Sequence, residues 1–192
     1  MKLAPLGLCI ALLAASAARA TVTETTTYKP FIVHGRNATS IYKSLISRSR
    51  KKGGIHTYAS TEISLRPKLR LQSTPMCKLT DVGVEAKFVI HLPVLADEKA
   101  VPQPLRMEWQ DFVAHLKTHE EHHRTIWLGC ARDTETTLNS QPPAPCKSFA
   151  SSIKSRLQDV NRRCRKANDA FDATEQGRVL GFAFIHRVIA GQ

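Results

Sequence analysis

The chain has 192 residues and a formal charge of +12. Its basic residues are scattered (Arg48, Arg50, Lys51, Lys52, then Arg162, Arg163, Arg165, Lys166), with no aromatic interleaving and no recognised nucleic-acid motif, which argues against a nucleic-acid partner. Lys2, an apolar run over residues 6–13 and Ala18-Arg19-Ala20 predict a secretory signal peptide over residues 1–20, cleaved after Ala20. That run is too short to span a bilayer, no later stretch approaches the length needed, and Leu8 before Cys9 argues against a lipid anchor. Removing Lys2 and Arg19 takes the charge from +12 to +10, read as a solvated basic surface weakly attracted to anionic envelope components. The expectation is a periplasmic or extracellular protein with one domain over residues 21–192, long enough for a real core. Cys77, Cys130, Cys146 and Cys164 remain after cleavage. An even number in an exported chain predicts two disulfides, with three connectivities open.

In chain order, the Thr-rich residues 21–27 read as a loose lead-in and residues 28–35 as a first strand. Asn37-Ala38-Thr39 is a glycosylation sequon, but the preferred reading is a helix start, with Asn37 or Thr39 capping a helix over residues 40–51. Lys51-Lys52-Gly53-Gly54 would close that helix with positive charge and glycine. Two strands with period-two alternation follow. In one, Ile63, Leu65, Leu69 and Leu71 share a face; in the other, Val82, Val84, Ala86, Phe88, Ile90 and Leu92 point inward. One wet face signals antiparallel sheet, and Pro67 pushes its strand towards an edge. Cys77 sits in their connection.

After a loop over residues 95–104, Trp109, Phe112, Val113, Leu116, Ile126, Trp127 and Cys130 recur at helical spacing, predicting a helix over residues 105–139. Gln141-Pro142-Pro143-Ala144-Pro145 breaks the chain. A second amphipathic helix runs through Phe149, Ile153, Leu157, Val160, Cys164, Ala167 and Phe171 to end near Gly177. The apolar tail over residues 179–190 reads as a last strand or a docking segment.

The first long helix carries His119-Glu120-Glu121-His122-His123. This is H-E-x-x-H: histidines four apart share a helix face and can hold one metal ion, while the glutamate between them serves as general base. His119 and His123 fall on or beside the apolar arc, and Glu120 at its far side. Two titratable groups against a core need partners, and a metal satisfies both. Catalytic zinc takes three protein ligands and keeps a fourth position for water, so a third ligand must come from elsewhere. His115 and His122 lie off the apolar face and read as ordinary surface histidines, with Glu121 beside them. On the second helix, Asp172 and Glu175 are candidates, Glu175 lying closer to the apolar face; either reads equally well as a solvated helix end.

Over residues 28–181 the chain resembles a bacterial family of exported proteins of unknown function thought to be zinc-dependent proteases of the zincin kind. The resemblance rests on Gly35 and the helix after it, Ala59-Ser60-Thr61, Cys77, Leu92-Pro93, Trp109 and Phe112 ahead of H-E-x-x-H, Cys146, Asn161 and Phe171-Asp172-Ala173-Thr174. It implies a zincin-like α+β fold, with an antiparallel sheet packed on the H-E-x-x-H helix plus a second long helix. It also implies a peptidase with Zn2+ as cofactor and a peptide or protein substrate. In that family's closing motif a histidine stands where this chain has Gln176, a weak zinc ligand. Asp172 is taken as third ligand because it matches the motif, with Glu175 and Gln176 left as alternatives. The resemblance favours a Cys77–Cys146 disulfide, leaving Cys130 and Cys164. In a level antiparallel hairpin those two stand roughly 12 Å apart along the axis, beyond the reach of about 7 Å. Their pairing needs a shifted or crossed packing; otherwise Cys164 is a core thiol. The reading is a zinc-dependent metallopeptidase with ligands His119, His123 and Asp172 and base Glu120. The rival is a catalytically weak zincin-like scaffold that binds envelope components or holds metal.

Overall fold

The computed structural model describes residues 21–52 and 55–191, so the expected signal peptide, Cys9 and the Gly53-Gly54 helix end lie outside the described residues. Among the described residues the architecture is mixed α+β: a three-stranded sheet, four helices and a small two-stranded hairpin. The sheet has the order β1-β5-β4, from β1 (Thr21–Val33), β4 (Ser60–Gln72) and β5 (Lys78–Leu95).

β4 and β5 pair antiparallel, as their alternation predicts, and β4 is an edge strand, as Pro67 requires. β1 corrects two expectations. It begins at Thr21, so residues 21–27 are strand and not a loose lead-in, and it pairs parallel to β5 from Thr21↔Gly83 to Val33↔Leu95. The sheet is therefore mixed and not purely antiparallel. Threonine's branched side chain suits an extended backbone, and the ladder to β5 supplies the partners that hydropathy alone does not signal.

The inward face of β5 holds from Val82 to Ile90, but Leu92 is only half-buried and Pro93 is enclosed instead. On β4, Ile63 and Leu65 are half-buried while Leu69 and Leu71 are 42% and 58% exposed. The outer end of β4 runs past the helix that covers the sheet.

Helix α1 (Ala38–Arg48) starts at Asn37, whose side chain accepts from the Ser40 N–H while Ser40 Oγ accepts from the Asn37 N–H. This reciprocal box supports the cap reading. The helix ends at Arg48 with Ser49 as cap. Lys51 and Lys52 belong to the hairpin strand β2 (Arg50–Lys52), paired with β3 (Ile55–Thr57), and not to a helix terminus.

Helix α2 (Gln103–Asn139) crosses the sheet, and α3 (Cys146–Glu175) packs on α2. Trp109, Phe112 and Leu116 on α2 join Val33, Ile41 and Leu45 in the main core. The tail forms a 3-10 turn and helix α4 (Ala183–Ile189), not a strand. Phe184 docks edge-on to Trp109 at 5.1 Å between ring centroids, so the docking alternative is the observed one.

Both cysteine pairs are bridged, Cys77–Cys146 with Cα atoms 4.9 Å apart and Cys130–Cys164 with 5.9 Å. The second is reached by shifted packing. Arg156 Nη1 donates to the Thr137 carbonyl at 3.3 Å and to Ser140 Oγ at 3.4 Å, so a point about a third of the way along α3 stands level with the end of α2. Residues 146–155 overhang, a slip of roughly 15 Å at 1.5 Å per residue. The Pro-rich connection makes this possible by running outwards before α3 begins. It is pinned there by the Cys77–Ala144 pair of backbone hydrogen bonds, 3.0 Å each, and by the Cys77–Cys146 bridge. Ala167, expected on the apolar face of α3, is exposed; of the thirty residues in α3 only Phe149, Val160 and Cys164 are buried.

Candidate metal centre

Helix α2 passes beneath β4 and beside α3, and the three elements enclose a cleft of about 1060 Å³. His119 and His123 project from successive turns of α2 into it. Their Nε2 atoms lie 3.0 Å apart. Asp172, from the last turns of α3, places Oδ1 3.0 Å from His123 Nε2 and 3.5 Å from His119 Nε2. These residues form the one group among the described residues with three candidate ligand atoms gathered within 4.8 Å. Ligands held tetrahedrally about 2.0–2.1 Å from a zinc ion stand about 3.3 Å from one another. The observed triangle has that size.

Asn168, one turn before Asp172, decides which histidine nitrogen is free. Its Oδ1 accepts from Trp127 Nε1–H at 3.0 Å and lies 2.9 Å from His123 Nδ1. Indole only donates, so the atom it meets is the amide oxygen, and His123 Nδ1 must carry a hydrogen to bond the same oxygen. The lone pair of His123 is then on Nε2, facing His119 and Asp172. Burial holds the His119 imidazole below its ordinary pKa, helped by His123 and opposed by Asp172 and Glu175. His119 is therefore neutral at neutral pH. The His123 lone pair, the His119 Nε2 atom and a carboxylate oxygen thus meet at one point, an arrangement a cation can satisfy.

Glu120 is 6% exposed, which corrects its expected place at the far side of the apolar arc. It faces β4, where Thr61 Oγ1–H donates to Oε2 at 2.7 Å and also lies 3.1 Å from the Glu120 carbonyl oxygen. Glu121 accepts from the Tyr28 hydroxyl at 2.7 Å and so ties α2 to β1. His122 is exposed, as expected, and stacks on Phe171 at 4.0 Å. His115 departs from the surface reading: it is half-buried, lines the cleft and packs on Phe182 at 4.7 Å, and burial lowers its pKa.

Of the alternative third ligands, Glu175 lines the cleft but pairs with Arg178 at 2.5 Å. Gln176 is the exposed cap beyond α3 and lies outside the cleft lining. Thr61, Trp127 and Asn168 were not singled out by sequence as site residues. Asn168 had a usable signal, since it stands four residues before Asp172 and shares its helix face. A zinc ion held by this cluster would bind about 10- to 100-fold more weakly in Asn168→Ala, as loss of a hydrogen bond behind a ligand does. Competition against a chelator measures this. Wild-type affinity in the variant would mean that the amide does not set the His123 tautomer.

The fold and site define an α+β protein with a His/His/Asp cluster beside a buried glutamate. Over residues 28–178 the chain matches the family described as "Bacterial protein of unknown function (DUF922)", and it belongs to that family. No curated protein and no solved structure matches it.

Proposed function

We propose that the protein is an exported zinc-dependent peptidase of the zincin kind, with His119, His123 and Asp172 as ligands and Glu120 as general base. The observation that carries this is the convergence of two imidazole nitrogens and one carboxylate oxygen within 3.0–3.5 Å, beside a carboxylate already held by Thr61. When bound, zinc supplies Lewis acidity, acidifying water and polarising a carbonyl. Glu120 accepts the proton of the attacking water and returns it to the leaving amine. Thr61 steadies one oxygen of Glu120, and Asn168 keeps the His123 lone pair directed at the ligand cluster. Two disulfides, and no helix among the described residues long and apolar enough to cross a membrane, support a periplasmic or extracellular setting.

The rival reading, a metal-holding or envelope-binding scaffold, drew on Gln176 and the basic surface. Asp172 lines the cleft and Gln176 does not, which supports the peptidase reading over this one. The test is zinc content by atomic emission together with hydrolysis of an unstructured protein substrate. Glu120→Gln should retain zinc and lose activity by about 10²- to 10⁴-fold. Unchanged activity sinks the mechanism, and zinc bound by a wild-type protein that hydrolyses nothing favours the scaffold.

A further inference from the structure

The cleft is far larger than an ion and a water require. α2 lines it from His115 and Leu116 to Thr134, about 27 Å at 1.5 Å per residue, with β4 as one wall and α3 as the other. The cluster and Glu120 fill only one end, and every carboxylate of the lining (Glu120, Asp169, Asp172, Glu175) belongs to that end. Beyond Trp127 the floor of the cleft is mostly apolar, with Ile63 and Leu65 from β4, Val160 from α3 and the Cys130–Cys164 bridge between the helices, while Thr134, Asn161 and Arg165 also line it and Arg165 Nε–H is turned to Asn161 Oδ1 at 3.2 Å. Leu65 and Trp127 pack on the small cluster of Cys130, Val160 and Cys164, which makes this a formed surface. Leu65 is half-buried there and lines the cleft.

We propose that this apolar arm is a substrate subsite. It takes an apolar side chain of an extended polypeptide about three residues from the bond cleaved beside Glu120. This rests on the peptidase reading above. Two observations identify the occupant. The arm is continuous with the ligand cluster in one cleft, so what enters it is joined to what reaches Glu120. The scale also fits: His123 and Cys130 are seven residues apart on α2, about 10 Å, which an extended chain covers in three residues at about 3.3–3.6 Å each. β4 presents Thr61, Ile63, Leu65 and Pro67 to the cleft at a period of two, the repeat of an extended ligand.

The test uses the zinc-loaded protein carrying Glu120→Gln, which prevents turnover, and fluorescent decapeptides scanned with Leu, Phe, Asp and Lys. Positions are counted from the bond that the wild type cleaves. Leu or Phe three residues from that bond should bind roughly 10- to 100-fold more tightly than Asp. Leu65→Lys and the milder Leu65→Asn, at the wall of the arm beside the Cys130–Cys164 bridge, should abolish that preference with zinc affinity unchanged. Absence of any such preference, or its survival in both variants, overturns the subsite. The peptidase reading then stands or falls separately on the turnover lost with Glu120→Gln. A wild type that binds with the preference but never cleaves fells the peptidase reading and leaves a peptide-binding groove. Two further results would overturn the proposal by naming another occupant. One is displacement of all decapeptides by a peptide of residues 6–13 alone; the other is loss of a homodimer in Leu65→Lys with peptide preference intact.

Discussion

If the proposed zinc site is correct, replacing Asp172 with alanine will strip the protein of stoichiometric zinc, while replacing Gln176 with histidine will leave zinc binding nearly unchanged. Zinc held by four positions is worth about 10–16 kcal/mol, so one ligand accounts for roughly 3–4 kcal/mol, a factor of several hundred in affinity. Asp172 Oδ1 is the atom from α3 that stands 3.0 Å and 3.5 Å from the two imidazole nitrogens. Without it two histidines on one helix turn remain, and water must fill the vacated position. Gln176 is exposed at the end of α3, and a histidine there has no place in the lining. Chelator competition on both variants separates the alternatives. Zinc retained by Asp172→Ala, or a large gain in Gln176→His, would move the third ligand to the end of α3 and overturn the assignment made here.

What could be read in advance divides along a physical line. Amphipathic elements whose partners are simply apolar were legible: the alternation of β4 and β5, the helical stripe of Trp109, Phe112 and Leu116, and the Pro-rich break before α3. Interactions fixed by the path of the chain were not. β1 has no hydropathy alternation over residues 21–27, because an edge strand of threonines is held by its backbone ladder to β5. Burial of Glu120 depends on Thr61, fifty-nine residues away on another element, and nothing near either residue announces the other. The five-residue motif therefore placed two histidines and a glutamate on one helix. What orients them, Thr61 for the carboxylate and Asn168 for the imidazole, became visible only when β4 and α3 were set against α2. The slip of α3 is of the same kind, since it follows from where Cys77 holds Ala144 and Cys146.

Removing the Cys130–Cys164 bridge as a pair of alanines should destabilise the protein by about 3–4 kcal/mol, the chain-entropy value for a loop of this length, and, with zinc in the proposed site, weaken its binding as well. The sequence separation closed by the bridge is 34 residues. Two features make this the connection on which the site depends. α3 buries only Phe149, Val160 and Cys164, so little apolar packing holds it to α2. Asp172 and Asn168, which reach the ligand cluster from α3, lie one to two turns beyond Cys164, whereas the Cys77–Cys146 bridge restrains the far end of the helix. Losing the nearer bridge frees the segment that carries Asp172, the proposed third ligand. Denaturant unfolding and zinc competition on the same variant measure the two effects. A Cys77→Ala/Cys146→Ala pair serves as comparison: it should lose stability to a similar extent but keep more of its zinc affinity. If both pairs weaken zinc equally, the nearer bridge has no special hold on Asp172, and the loss reflects general loosening of α3. If zinc binding in the Cys130/Cys164 variant matches the wild type at full stability loss, packing of Val160 and the Asn168 hydrogen bonds are enough to place the ligand.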